Sequence, residues 1–224
     1  MGLINNLMVE QAKVDIQQYL AREDGELLFN ERDLQMHLAQ HLMGTGHYDD
    51  VDVEYYVPYE ELDNYIWKNE LKLDILLCKG SEFLPVELKY KTKKHPKQLS
   101  RFGERLKRQV DVLKNQGAQD LGMYDFWKDV RRVELVRRRF RAVKNGLVVF
   151  VTNDNQYLNK GKTFSNNYRF SMEEGSHDMV RHWQQPNSTC AKTHPDFELD
   201  NNYVISWNKN VYEGVEFYYC IVEI

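Results

Sequence analysis

Apolar residues recur at helical spacing along the first forty positions. Ile4, Met8, Ala12 and Ile16, followed by Tyr19 and Leu20, predict an amphipathic helix over residues 3–20 within an N-terminal segment 1–22. That helix packs on a core or mediates a homodimer, and Asp24-Gly25 is the turn that ends it. Asn30, a favoured N-cap, opens a second helix running to Met43 with Leu34, Leu38 and Leu42 on one face. The period then changes to two. Val51, Val53, Tyr55 and Val57 alternate with Asp50, Asp52, Glu54 and Tyr56, predicting a strand with one polar face that Pro58 closes. Two more alternating segments fill residues 71–91 and meet at Gly80-Ser81, a two-residue hairpin signal. After His95-Pro96, Leu99, Phe102, Leu106, Val110 and Leu113 predict a helix. A polar linker at 115–122 leads to a long helix over 123–144, whose apolar arc is Phe126, Val130, Val133, Val136, Phe140 and Val143. Asn145-Gly146 stops it, and the apolar run 147–151 is a strand covered on both faces. Periodicity fades over 154–202, and segments 204–207 and 215–224 predict a C-terminal hairpin across a 208–214 loop.

The central hairpin carries chemistry. If Lys79 faces Glu82 across the turn, every cross-strand pair sums to 161, and Asp74 lies opposite Glu87. Directly opposed like charges destabilise a strand pair, so folding alone should avoid the arrangement. A hard cation reverses the sign: two carboxylates with water and phosphate oxygens suit Mg2+, or Mn2+ in its place. Lys89, two residues beyond Glu87, shares that face.

An aspartate, a short hairpin and Glu-x-Lys, here Asp74, Glu87 and Lys89, resemble the PD-(D/E)xK nuclease superfamily, with Leu73 where the family name has proline. The order helix, three strands, helix, strand over residues 31–153 resembles its αβββαβ core. The resemblance implies an α/β, restriction-endonuclease-like fold with a mixed central sheet flanked by helices. The N-terminal helix and a C-terminal strand extension would be additions to one domain spanning 1–224. It further implies divalent-metal-dependent hydrolysis of phosphodiesters, with DNA as the expected substrate. Asp74, Glu87 and the Leu88 carbonyl would hold the ion, Glu31 on the preceding helix would ligate a metal-bound water or second ion, and Lys89 would orient and stabilise charge. In that frame Asp125 and Lys128 could approach the metal centre. Gln98 with Phe102, or Gln109 alone, matches only part of a glutamine-tyrosine pattern of some exonuclease branches.

Charge is unevenly distributed. The net charge is −4, yet residues 93–144 hold 16 Lys or Arg against 6 Asp or Glu, a balance of +10 that leaves −14 elsewhere. Arg101, Arg105 and Arg108 on one helix and Lys128, Arg131 and Arg132 on the next are candidate nucleic-acid contacts, or else solvated helix faces. His37 and His41 have zinc-compatible spacing but no evident third ligand. The three cysteines, Cys78, Cys190 and Cys220, form neither a disulfide framework nor a zinc knuckle. Trp183, Tyr157 and Tyr168 are base-stacking or core aromatics. Without an apolar run of about 18 residues or a signal-peptide pattern, the expected location is cytoplasmic, away from membranes. Two rival readings remain: a nuclease-fold module that binds nucleic acid or recruits a partner without turnover, and an ordinary sheet in which Lys72 or Lys89 neutralises the acids.

Overall fold

In the computed structural model residues 7–23 and 25–224 are described; Ile4 and Asp24 lie outside them. The first half contains α1 (Leu7–Ala21), α2 (Glu31–Gly44), β1 (Asp50–Val57), β2 (Leu71–Lys79) and β3 (Glu82–Lys91). Four short strands follow, β4 (His95–Lys97), β5 (Ser100–Arg101), β6 (Glu104–Arg105) and β7 (Val110–Leu113), and then α3 (Gln119–Arg139) and β8 (Leu147–Thr152). The remainder holds β9 (Gly175–His177), β10 (Val180–Arg181), α4 (Thr189–Thr193), β11 (Phe197–Glu198), β12 (Tyr203–Ile205), β13 (Asn208–Tyr212) and β14 (Val215–Glu223).

A six-stranded mixed sheet, ordered β1-β2-β3-β8-β14-β13, divides two apolar layers. Among the described strands of this sheet, β3 and β8 pair in parallel and the other neighbours are antiparallel. Burial on both faces explains the unbroken apolar run of β8, all six of whose residues are buried. On one side α1 and α2 pack against Ile75, Leu84, Val86, Leu88 and Val149. On the other, α3 and the 155–205 segment cover Leu73, Leu76, Val148 and Phe150. The chain is therefore α/β, with helices on both faces of a mixed sheet. Among the described residues no helix is long and apolar enough to cross a membrane.

Several expectations change. The helix predicted after His95-Pro96 is instead an extended β-arm: β4 pairs with β7 and β5 with β6. Its helical-looking stripe arises because Leu99 and Leu106 face each other across the ribbon, Leu106 N–H donating to Leu99 O at 2.8 Å. Phe102 and Gly103 turn the chain with φ of 54° and 82°, as a tight hairpin turn with two left-handed residues requires. Arg101, Arg105 and Arg108 consequently sit on the arm rather than on a helix stripe.

The long helix begins four residues earlier than expected and ends at Arg139, where Phe140 becomes extended. Gly122 lies inside it, and a Cβ there would stand 2.3 Å from the Tyr157 hydroxyl oxygen, so this turn of helix approaches its neighbour as only glycine can. At the C-terminus, residues 208–212 are a strand rather than a loop. β13 pairs with β14 through a turn at Glu213-Gly214, and β12 pairs with β9.

β1 also departs from simple alternation. Its ladder with β2 keeps one offset on both sides, Val53↔Ile75 and Tyr55↔Leu73, but skips Glu54 and Asp74. Glu54 has a φ of 54°. Leu73 faces the α3 layer whereas Ile75 faces α1 and α2, so the strand's faces exchange at Asp74. Such irregularities re-aim single side chains, and this one leaves the Asp74 side chain free of the alternation.

Candidate active site

The β2–β3 register follows the sum of 161 from Lys79↔Glu82 to Ile75↔Val86, and regular pairing ends there. Asp74 does not continue the ladder. Its carboxylate replaces a backbone acceptor, Oδ2 taking the Leu88 N–H at 2.7 Å. Glu87 points from β3 toward the same spot, 2 % exposed, and the two carboxyls share a hydrogen bond. Asp74 and Glu87 thus meet, through a side-chain turn at a ladder end in place of simple opposition.

α2 supplies the next groups. The Asn30 side chain accepts the Asp33 N–H at 3.0 Å, while Asp33 Oδ2 accepts the Phe29 N–H at 3.0 Å, a reciprocal cap that locks the helix start. Glu31 then occupies the first turn; its Oε2 accepts the Tyr90 N–H at 2.9 Å and its Oε1 lies 4.0 Å from Lys89 Nζ. One turn on, Gln35 donates to Asp74 O at 2.8 Å and to Glu54 Oε1 at 3.0 Å, tying both sides of the skipped pair to α2.

Lys89 Nζ lies 2.7 Å from Asp129 Oδ2 and donates to Leu88 O at 2.9 Å. Asp129, on α3 and 1 % exposed, also lies 3.4 Å from Arg132 Nη1. The centre therefore draws on α2, β2, β3 and α3. Neither Gln35 nor Asp129 is among the sequence candidates. Each left a signal: Gln35 is one turn from Glu31, and Asp129 is a carboxylate inside the apolar arc of Phe126, Val130 and Val133.

The charges settle unequally. Burial raises the Asp74 pKa to about 6 against the pull of Lys89, the hydrogen bond from Glu87 and the Leu88 N–H. Burial, then Asp129 and Asp74, hold Glu87 well above the carboxylate range. Burial also disfavours ionised Asp129, but Lys89, Arg132 and Lys128 outweigh it and lower its pKa. For Lys89, burial is overcome by Asp129, Glu31, Asp74 and Glu87, which hold its pKa well above the ordinary lysine value. Lys89 is a protonated cation, unsuited to act as a base.

The basic candidates divide. Arg132 is buried, with Nη2 donating to Asn69 Oδ1 at 3.1 Å. Arg131 pairs with Glu134 at 2.9 Å and Asp200 at 2.6 Å, and Lys128 with Asp125 at 2.7 Å. Those three are engaged internally, whereas Arg101, Arg105 and Arg108 are exposed. Asp125 also lies 3.9 Å from Lys91. Tyr157 and Trp183 belong to the core, and all three cysteines are free thiols.

Among the described residues no group of three or more His, Cys, Asp or Glu side chains is arranged to hold a metal ion. The Asp74–Glu87 pair nevertheless has the chemistry of a partial shell: two facing carboxylates, one of whose oxygens, Glu87 Oε1, is buried without a hydrogen-bond partner. Such a pair takes magnesium only with water or substrate oxygens completing the shell. Comparison with known proteins finds no matching family model, no matching characterised protein and no matching solved structure.

Proposed function

We propose that the chain is a divalent-metal-dependent phosphodiesterase of the PD-(D/E)xK type, with a restriction-endonuclease-like core and DNA as its substrate. One observation carries this reading: Asp74 and Glu87 are buried against each other beside the Lys89 ammonium, a costly arrangement that a cation and a phosphate would relieve. The element order α2, β1–β3, α3, β8 supports it.

Asp74 and Glu87 would hold Mg2+ or Mn2+, with the Leu88 carbonyl, which accepts the Lys89 ammonium, adjacent. When bound, such an ion lowers the pKa of water and offsets charge developing on phosphate. Lys89 directs its ammonium at that position and stays protonated, so it orients the phosphate and stabilises its negative charge. Asp129 is a positioning residue for Lys89. Glu31 Oε1 lies 4.0 Å from the same ammonium, where it can orient water.

The test incubates the protein with plasmid, linear, single-stranded and branched DNA and with RNA, in magnesium, manganese or EDTA. Metal-dependent cleavage of DNA lost in Asp74→Ala and Lys89→Ala is expected. Binding without products would favour the non-catalytic module instead, and absence of both would sink the proposal.

A further inference from the structure

The β-arm is built from residues that folding alone would not select. It leaves the end of β3 directly after the Lys89–Lys91 segment and doubles back at Phe102-Gly103. Its reach from His95 to the tip is ~23 Å at ~3.3 Å per residue. Phe102 at that tip is fully exposed, and its positive φ is one that asparagine or glycine adopts more readily than a bulky aromatic. Arg101, Arg105, Lys107 and Arg108 are likewise exposed, and among the described residues none of them forms an ion pair. The arm is moored beside the candidate active site: the Arg101 guanidinium lies 5.3 Å from the ring centre of Phe29, two residues before Glu31, and Lys97 pairs with Glu213 at the arm's base.

We infer that this arm is a groove-entering ribbon for B-form duplex DNA, with Phe102 a wedge that inserts at a base step and Arg105, Lys107 and Arg108 contacting phosphates. The inference rests on, and deepens, the phosphodiesterase reading of the Asp74–Glu87 site. Three physical points select the ligand. A two-stranded ribbon fits the B-form major groove, ~12 Å wide, whereas the deep, narrow major groove of A-form RNA excludes it. Apolar side chains inserted between base steps unstack them and bend the duplex, and the Arg101–Phe29 contact holds the wedge's own turn near Glu31. Exposed cations flanking the wedge supply the sequence-independent attraction to phosphate.

The test measures binding of the full chain in EDTA to a labelled DNA duplex and to an RNA duplex of the same sequence, with cleavage scored separately in magnesium. Phe102→Ala should weaken DNA-duplex binding about tenfold and remove the fluorescence rise of a 2-aminopurine placed at the wedged step. Phe102→Leu, which keeps an apolar wedge, should retain most of both. Arg105→Ala with Arg108→Ala should reduce the slope of log affinity against log salt by about two. Since all these side chains are exposed, their loss leaves the core intact. Phe102→Ala binding DNA like the wild type, or RNA duplex binding as tight as DNA, overturns the inference, and if magnesium-dependent cleavage persists the phosphodiesterase reading survives it. Arm-dependent DNA binding by a protein that cleaves nothing supports the arm's role while overturning the hydrolase. No duplex binding at all overturns the arm's role.

Discussion

Replacing Asp74 by Asn should make the metal-free protein more stable at neutral pH while removing its response to magnesium. Asp74 titrates at 3.8 when unperturbed and at about 6 in the folded protein, where burial raises it. Between those values the folded state binds more protons than the unfolded state, so stability falls as pH rises, and the full cost of ionising Asp74 is reached above about 6. Two pKa units correspond to ~3 kcal/mol at ~1.4 kcal/mol per unit. Asparagine escapes that cost yet keeps the local bonds: its carbonyl oxygen accepts the Leu88 N–H and its amide donates to Glu87. In EDTA the variant should match wild type near pH 4 and exceed it by ~3 kcal/mol at pH 7.5. For a chain of this size that is ~6–12 °C in Tm. Adding magnesium at pH 7.5 should raise the wild-type Tm by mass action and leave Asp74→Asn unmoved. Thermal unfolding followed by circular dichroism at both pH values, with and without the ion, gives all four comparisons. A variant less stable than wild type in EDTA at pH 7.5, or one stabilised equally by magnesium, would refute the reasoning.

Other perturbations have separate readouts. Asp129→Asn removes the buried partner that aims Lys89, so kcat for magnesium-dependent cleavage should fall about 10–100-fold with little change in KM; unaltered kcat would remove Asp129 from the site. Asp15 accepts Gln11 at 2.9 Å and Tyr48 at 2.7 Å and lies 2.9 Å from His47, pinning α1 to the loop after α2. Burial opposes ionised Asp15, but the bonds from His47, Tyr48 and Gln11 prevail and lower its pKa below 3.8. Asp15→Ala should therefore cost about 2–3 kcal/mol at neutral pH. That difference should shrink as pH falls below 3.8 through the lowered folded-state value, which acid titration of the unfolding free energy would reveal. Gly122→Ala puts a methyl against the buried Tyr157 hydroxyl and should destabilise by about 1–3 kcal/mol in urea unfolding.

Local rules carried a good part of the design. Gly80-Ser81 with its flanking alternation sets the β2–β3 register, because a two-residue turn leaves one pairing that buries both apolar faces. Asn30 caps α2, which puts Glu31 one residue inside the helix and leaves Leu34, Leu38 and Leu42 to bury. Asp74, Glu87 and Lys89 are readable as neighbours from the hairpin alone, whereas Glu31 joins them only through the family resemblance. The arm reads as a helix in sequence because Leu99, Phe102 and Leu106 satisfy a helical period by chance, while cross-strand pairing needs partners that periodicity does not report.

The hairpin, its turn and the carboxylates it carries are written locally, since each depends on residues within a few positions of one another. Long-range packing is what takes Asp74 out of the ladder to hold the Leu88 N–H and lets Gln35 bridge it to Glu54. It also brings Asp129 to Lys89 across forty residues of chain. The Lys89–Asp129 contact exists because the sheet buries its α3-facing side, where a lone charge is costly and carboxylates and ammonium must find each other, while Gln35 reaches Asp74 and Glu54 from α2 on the opposite side. A one-dimensional pattern records which side chains are charged; the enclosure that forces them together belongs to the folded chain.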